Sequence, residues 1–160
     1  MNAPEILIPT TTGGIFGGGI YAGRFGIGDK LYGLVVAPAA IGELVKTKWG
    51  GLKKVAGADS YNDGDANTQA MAAAGSVLGK WARGLLIEGF GDWYIPSRLE
   101  SLILFGDLGK ADVFARDWYW TSTQYDAEWA WSQLFDDGDQ DSHHKDCQLR
   151  ARAVRRFPIQ

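Results

Sequence analysis

Apolar and polar positions change period along the chain, and each change marks an element. From Lys30 to Pro38 (KLYGLVVAP) a short apolar run with β-branched residues predicts a buried strand. Asp59-Ser60-Tyr61-Asn62-Asp63-Gly64-Asp65 is turn chemistry, because Asn and Asp bond their own backbone and tolerate left-handed conformations. From about Ala66 to Arg83 apolar residues recur every three or four positions, at Met71, Ala74, Leu78 and Trp81. This spacing predicts one helix, with Asp65 or Asn67 as its cap and Gly84 as its stop. A second helix is expected after Pro96-Ser97-Arg98-Leu99-Glu100, where Ser97 and Glu100 have capping-box spacing ahead of Leu102, Ile103 and Leu104.

After Asp112 the period becomes two. Trp129, Trp131 and Phe135 fall on one strand face, with Glu128, Ala130 and Ser132 on the other. Asp136-Asp137-Gly138-Asp139 predicts a hairpin turn, and residues 148–157 a returning strand. On that strand Arg150, Arg152 and Val154 share one face, and Leu149, Ala151 and Ala153 the other. Strands, two helices and a strand-rich last third predict an α+β domain.

At 160 residues the chain fits one domain that needs no disulfide or metal to fold. Its 22 glycines show no three-residue period and sit beside seven tryptophans, which excludes collagen and disordered filler. Residues 10–28 (TTTGGIFGGGIYAGRFGIG) predict an extended arm, ordered by docking on the body or on a partner. The expected organisation is therefore a glycine-rich arm over residues 1–28, for docking or oligomerisation, and a domain over residues 29–160. The lone Cys147 excludes an internal disulfide and any CxxC zinc or redox pair. The first residues lack the basic region and apolar run of a secretory signal, and no stretch approaches the ~18 apolar residues of a membrane helix. Cytoplasmic assembly without membrane insertion is expected.

The formal net charge of −3 is unevenly distributed. Residues 112–146 carry nine acids against Arg116 and Lys145, a local charge of −7, while Arg150, Arg152, Arg155 and Arg156 follow. An acidic segment of this size repels phosphate backbones, so nucleic acid is not an expected partner.

Several stretches together resemble a known family: Gly33-Leu34-Val35-Val36-Ala37, Ala66-Asn67-Thr68, Gly91-Asp92-Trp93-Tyr94-Ile95-Pro96-Ser97, Trp118-Tyr119-Trp120-Thr121-Ser122-Thr123, Ala130-Trp131 and Arg152-Ala153-Val154-Arg155. In this order they look like the domain that ends bacterial collagen-like adhesins and occurs in phage tail proteins. The resemblance runs from about Leu31 to Phe157. It implies a C-type-lectin-like fold, two helices packed on small antiparallel sheets, and a ligand-displaying role in place of catalysis. The C-terminal region is also similar to the variable proteins of diversity-generating retroelements, which implies a display of changeable residues from Gln124 to Asp146.

The expected recognition face comprises Tyr125, Asp126, Glu128, Ser132, Gln133, Asp137, Asp139, Asp141, His143 and His144, with Asp136, Gln140 and Ser142 between them. Aromatic and polar side chains on rigid strands give large contact area at low entropic cost. Trp118, Trp120, Trp129 and Trp131 fit a core or half-buried platform, and Trp93 a packing role. Asp136 to Asp141 invites a calcium reading, but lacks the spacing of a twelve-residue calcium loop and the carboxylate motifs of calcium-dependent lectins. Adjacent His143 and His144 point to opposite strand faces and do not chelate together. No cofactor is expected, calcium being the alternative. Formylglycine-generating enzymes share the lectin-like architecture, but their chemistry depends on cysteine, and neither a nucleophile elbow nor a zinc-binding helix motif is present.

The leading expectation is a phage tail or baseplate protein in the virion that binds a host-surface receptor, protein or glycan. Other tail subunits and further copies of the chain, as in a trimer, are its expected neighbours. The alternative is a bacterial or prophage-encoded adhesin module that binds glycans or glycosaminoglycans through Arg150, Arg152, Arg155 and Arg156.

Overall fold

The computed structural model describes residues 7–159. Two sheets and a small set of helices form a mixed α+β fold. The first sheet has the order β1-β2-β3-β9 and is antiparallel throughout: β1 (Ile15–Phe16), β2 (Gly19–Ile27), β3 (Lys30–Val36) and β9 (Val154–Ile159). The second has the order β4-β8-β5-β6-β7: β4 (Glu43–Thr47), β8 (Leu149–Arg152), β5 (Trp118–Gln124), β6 (Trp129–Leu134) and β7 (Gln140–His144). Its neighbours are antiparallel except β5 and β8, which run parallel.

The strand expected over residues 30–38 is β3, and its alternation matters less than its burial, since Gly33 to Val36 are covered on both faces. Gly33 pairs with Phe157, whose ring lies 2.2 Å from where a Cβ would stand, so only glycine admits that ring. The glycine-rich stretch is the partner on the other side. β2 pairs with β3 from Ile20↔Val36 to Ile27↔Lys30 and buries Tyr21, Ala22 and Phe25. Over residues 15–27 the expected arm thus lies on the body of its own chain, and the boundary at residue 28 falls in the hairpin turn. Residues 1–6 of that arm lie outside the described residues.

The helix expected over residues 66–83 is two helices, α2 (Gly64–Ala73) and α3 (Val77–Arg83). Gly75 turns left-handed at φ +93°, and Ser76 caps a new helix by accepting from the Gly79 amide while its hydroxyl donates to Trp49 O. Asp63, not Asp65 or Asn67, caps α2, through the Ala66 amide. Gly84 ends α3 as expected. The Ser97/Glu100 capping box opens α4 (Arg98–Leu108), also as expected. A one-turn helix, α1 (Ala39–Gly42), leads into β4.

The returning strand expected over residues 148–157 divides at Ala153. β8 belongs to the second sheet and β9 to the first, because the Ala153 amide leaves the ladder for Gly42 O and Val154 exchanges both bonds with Tyr94. The true return of the acidic hairpin is β7.

Three apolar clusters hold these layers. α4 packs on the first sheet through Leu104 and Leu108 against Ala22, Phe25, Leu34 and Val154. α2 and α3 bring Met71, Leu78 and Ala82 against Trp49, Trp120 and Ala151 of the second sheet and its loop. Trp93 joins Val35, Ala37, Ile87 and Ala153 in the third. No helix among the described residues is long and apolar enough to cross a membrane.

Candidate functional site

The acidic segment becomes the outer half of the second sheet, where β6 and β7 project as a hairpin. Two turns shape it. At the β5–β6 end Asp126 Oδ1 accepts the amides of Glu128 and Trp129, both at 2.9 Å, so this carboxylate closes the turn. At the β6–β7 end Gly138 stands at φ +90° under the Phe105 ring, and Asp137 Oδ1 accepts the Asp139 amide at 3.0 Å. Asp141 Oδ1 likewise holds the Ser142 amide at 2.8 Å. The turn expected at residues 136–139 is present, and three of the expected recognition carboxylates are engaged in local backbone geometry.

The register of β6 on β7, Trp129↔His144 to Gln133↔Gln140, divides the expected residues between two faces. Ser132, Asp141 and His143 project to one. Ser132 is fully buried, donates to Asp141 O at 3.0 Å and lies 2.7 Å from His143 Nδ1. The His143 ring stands edge-on to Trp118 and Trp120, and burial lowers its pKa below the ordinary value, against the raising influence of Asp141. The other face carries Trp129, Trp131, Gln133, Gln140, Ser142 and His144. The ten expected residues therefore do not form one face, and Ser132 and Gln133, both fully buried, are scaffold with no surface for a ligand.

Three of the four rings expected in a core or half-buried platform are there, and Trp129 departs from it. Trp120 is buried under the sheet, Trp118 and Trp131 are half-buried, and Trp129 is 40% exposed. Small residues, Ala130 and Ser132, take the covered positions of β6 because Trp49 and Trp120 already fill that layer. The displaced rings form the surface instead. Tyr125, 57% exposed, meets Trp131 edge-on at 5.5 Å. Trp129 meets His144 edge-on at 5.4 Å. His144 is held by its Nδ1 bond to the Asp146 carboxylate, with Glu128 4.0 Å from its Nε2. That hydrogen bond keeps the Asp146 carboxyl below its usual range.

α4 supplies the residue that completes this face. Arg98, first in the helix after the Ser97 cap, lays its guanidinium 3.6 Å from the Trp131 ring centroid and 5.4 Å from that of Tyr61, which is 47% exposed. Arg98 Nε donates to Gln140 Oε1 at 3.0 Å, and Gln140 Nε2 donates back to Arg98 O at 2.9 Å and to Gln133 Oε1 at 3.0 Å. Gln133 Nε2 is fixed in turn on Leu134 O and Asp139 O. Burial lowers the Arg98 pKa from its ordinary value. Tyr61 and Arg98 escape sequence reasoning because they lie 37 positions apart in different segments, and the only local signal at Arg98 is its place beside a cap.

The four terminal arginines have other duties. Arg152 bonds Glu43, Ala37 O and Val113 O; Arg155 grips both oxygens of Asp92 and Gly17 O; Arg150 reaches Glu43 and Asp117; Arg156 reaches Asp63. Each guanidinium expected as an anion contact is an internal tie between the sheets and their loops. Lys145, the other cation of this region, is fully buried, with Nζ 2.9 Å from Lys53 O and from Gln124 Oε1 and over the Trp49 ring.

Among the described residues no group of three or more His, Cys, Asp or Glu side chains is placed to hold a metal ion. A groove of about 370 Å³ opens between β4, Gly50-Gly51 and the start of α3, lined by Lys46, Lys48, Val77 and Gln148, and none of the expected recognition residues borders it. No protein-family model matches the chain, and no curated protein matches it.

Proposed function

We propose that the chain is a receptor-binding subunit of a phage tail or baseplate, and that its β5–β6–β7 end, with the start of α4, meets the host surface. The observation that carries this reading is the exposure of Tyr61, Tyr125 and Trp129 around Trp131 and Arg98 on short, cross-bonded strands. Exposed aromatic rings and a stacked arginine on a rigid frame are the side chains that dominate binding energy in protein recognition. The role is binding, not turnover.

A C-type-lectin-like fold is part of the same proposal. Helices α2 and α4 on two largely antiparallel sheets agree with it, and so does where the resembling motifs fall. Trp93, Tyr94, Ile95 and Ser97, Trp120 to Thr123, and Arg152 to Arg155 are all buried. Residues 125–129, between the second and third of these motifs, are exposed except for their backbone ties. A fixed core that carries a changeable surface divides its residues in this way.

The test is competition for adsorption. Purified chain added to host cells should block virion attachment, and Tyr125→Ala with Trp129→Ala should remove the block while the melting temperature stays within about 2 °C of wild type, as befits exposed positions. Wild-type chain that fails to block attachment would reduce the chain to virion decoration, and a folded double variant that competes as well as wild type would overturn the β5–β6–β7 end as the receptor-binding face.

A further inference from the structure

We propose that the Arg98 guanidinium seats the carboxylate of an acidic sugar unit in a host-surface glycan, with the Tyr61 and Tyr125 rings flanking the sugar. This rests on the receptor-binding reading and names its ligand class. Arginine carries five N–H donors in a planar fork. Arg98 uses Nε on Gln140, and its two terminal amino groups donate to no protein acceptor among the described residues. Arg83, Arg116, Arg150, Arg152, Arg155 and Arg156 each pair with a carboxylate, whereas Arg98, like Arg24, pairs with none among the described residues.

The free end of the fork is nevertheless fixed. Trp131 supports its plane at 3.6 Å, and the Gln140–Gln133 relay sets its direction. Most of the entropy lost in ordering a long cationic side chain is therefore spent before a ligand arrives. Burial already disfavours the charged guanidinium, and an incoming carboxylate would reverse that penalty through two parallel N–H···O bonds. The charge of −7 over residues 112–146 repels densely phosphorylated or sulfated polymers. One carboxylate on an otherwise neutral ring suffers least from that field. Tyr61 and Tyr125, about half exposed, offer apolar ring surface to the C–H groups of a sugar. An acidic protein side chain brings the carboxylate without such a surface.

The full chain is titrated calorimetrically with glucuronate- and sialate-terminated oligosaccharides, with their carboxyl-reduced counterparts, and with a glutamate-rich peptide. A carboxylated oligosaccharide should bind at least about tenfold tighter than its reduced form, the discrimination expected of a bidentate charged pair. The peptide should bind no better than the reduced sugar. Arg98→Lys, which keeps the charge and loses the fork, should forfeit the preference. The reduced-sugar comparison uses wild-type protein and so stands whether or not the variant folds. Equal affinity for carboxylated and reduced sugars, preference for the peptide, or no binding of either carboxylated probe overturns the inference. If wild-type chain still blocks adsorption in those cases, the receptor-binding reading survives; that reading falls if wild-type chain fails to block, and its placement at the β5–β6–β7 end falls if the Tyr125→Ala/Trp129→Ala variant blocks as well as wild type.

Discussion

Two buried ionisable residues show how much of this surface depends on single side chains beneath it. Glu100 is fully buried and accepts from the Gly64 amide at 2.9 Å, the Ser97 amide at 3.0 Å and the Tyr94 hydroxyl, so one carboxylate ties α2, the start of α4 and the bridge to β9. Glu100→Ala leaves these donors without an acceptor and should cost about 3 kcal/mol in urea unfolding, whereas Glu100→Gln keeps one acceptor oxygen and should cost less than half of that. Equal losses would show that the carboxylate fills space without bridging. Lys145 ties the loop at Lys53 to the end of β5, and burial pushes its pKa from the ordinary 10.5 down to about 8. The folded chain thus binds this proton less tightly than the unfolded one. Between about pH 8 and 10.5 the unfolded state holds more protons, so the contribution of Lys145 to stability rises with pH; below pH 8 the burial penalty is constant. Lys145→Met should abolish that rise and, by taking the Nζ donor from Lys53 O and leaving Gln124 Oε1 with the Val55 amide alone, lower stability at pH 7 by about 1–2 kcal/mol. Urea titrations at pH 7, 8 and 9.5 separate the two effects, and an unchanged pH slope in the variant would contradict the assignment.

At the scale of elements, the β6–β7 hairpin is where local chemistry and tertiary packing meet. Gly138 is left-handed at φ +90°, and a Cβ there would stand 2.5 Å from the Phe105 ring of α4. Gly138→Ala combines backbone strain with that clash and should destabilise by about 1–3 kcal/mol. Because the turn carries the Asp139 carbonyl that anchors Gln133, the same variant should weaken receptor binding; thermal melting together with adsorption measures both. Elements with a local signature were legible in the sequence: the Ser97/Glu100 box, the β3 run, the Asp136–Asp139 turn and the Gly84 stop. The break between α2 and α3 was written in Gly75-Ser76, a left-handed terminator followed by a cap, but the apolar spacing runs across it because both helices pack on the same Trp49 layer. The division of residues 149–159 between two sheets has no local signal, since it depends on Gly42 and Tyr94 offering partners from distant segments. The candidate face was legible in part for the same reason. Tyr125 and Asp126 were legible as polar and aromatic candidates for recognition, whereas the exposure of Trp129 follows from Trp49 and Trp120 having filled the layer that β6 would otherwise share.

For the molecule as a whole, charge and aromatic residues are divided by depth. The terminal arginines, which by sequence look like an anion-binding strip, are buried at Arg152 and Arg155 and half-buried at Arg150 and Arg156, tying β8 and β9 to Glu43, Asp92 and Asp63. The aromatic rings, which look core or half-buried, are partly outside, around an arginine that is stacked but has no carboxylate partner among the described residues. Other apolar side chains are also exposed, among them Ile15 of β1, Val77 of α3 and Leu86 just after α3, none of them on β5, β6, β7 or α4. They provide an internal reference for the most direct measurement, a hydroxyl-radical footprint of the chain bound to host envelopes. Tyr61, Tyr125 and Trp129 should be protected, with Val77 and Leu86 as reactive as in the free chain. Protection at Val77 or Leu86 with unchanged reactivity at Tyr125 and Trp129 would contradict the proposed receptor face, because the receptor would then meet the molecule somewhere other than the β5–β6–β7 end.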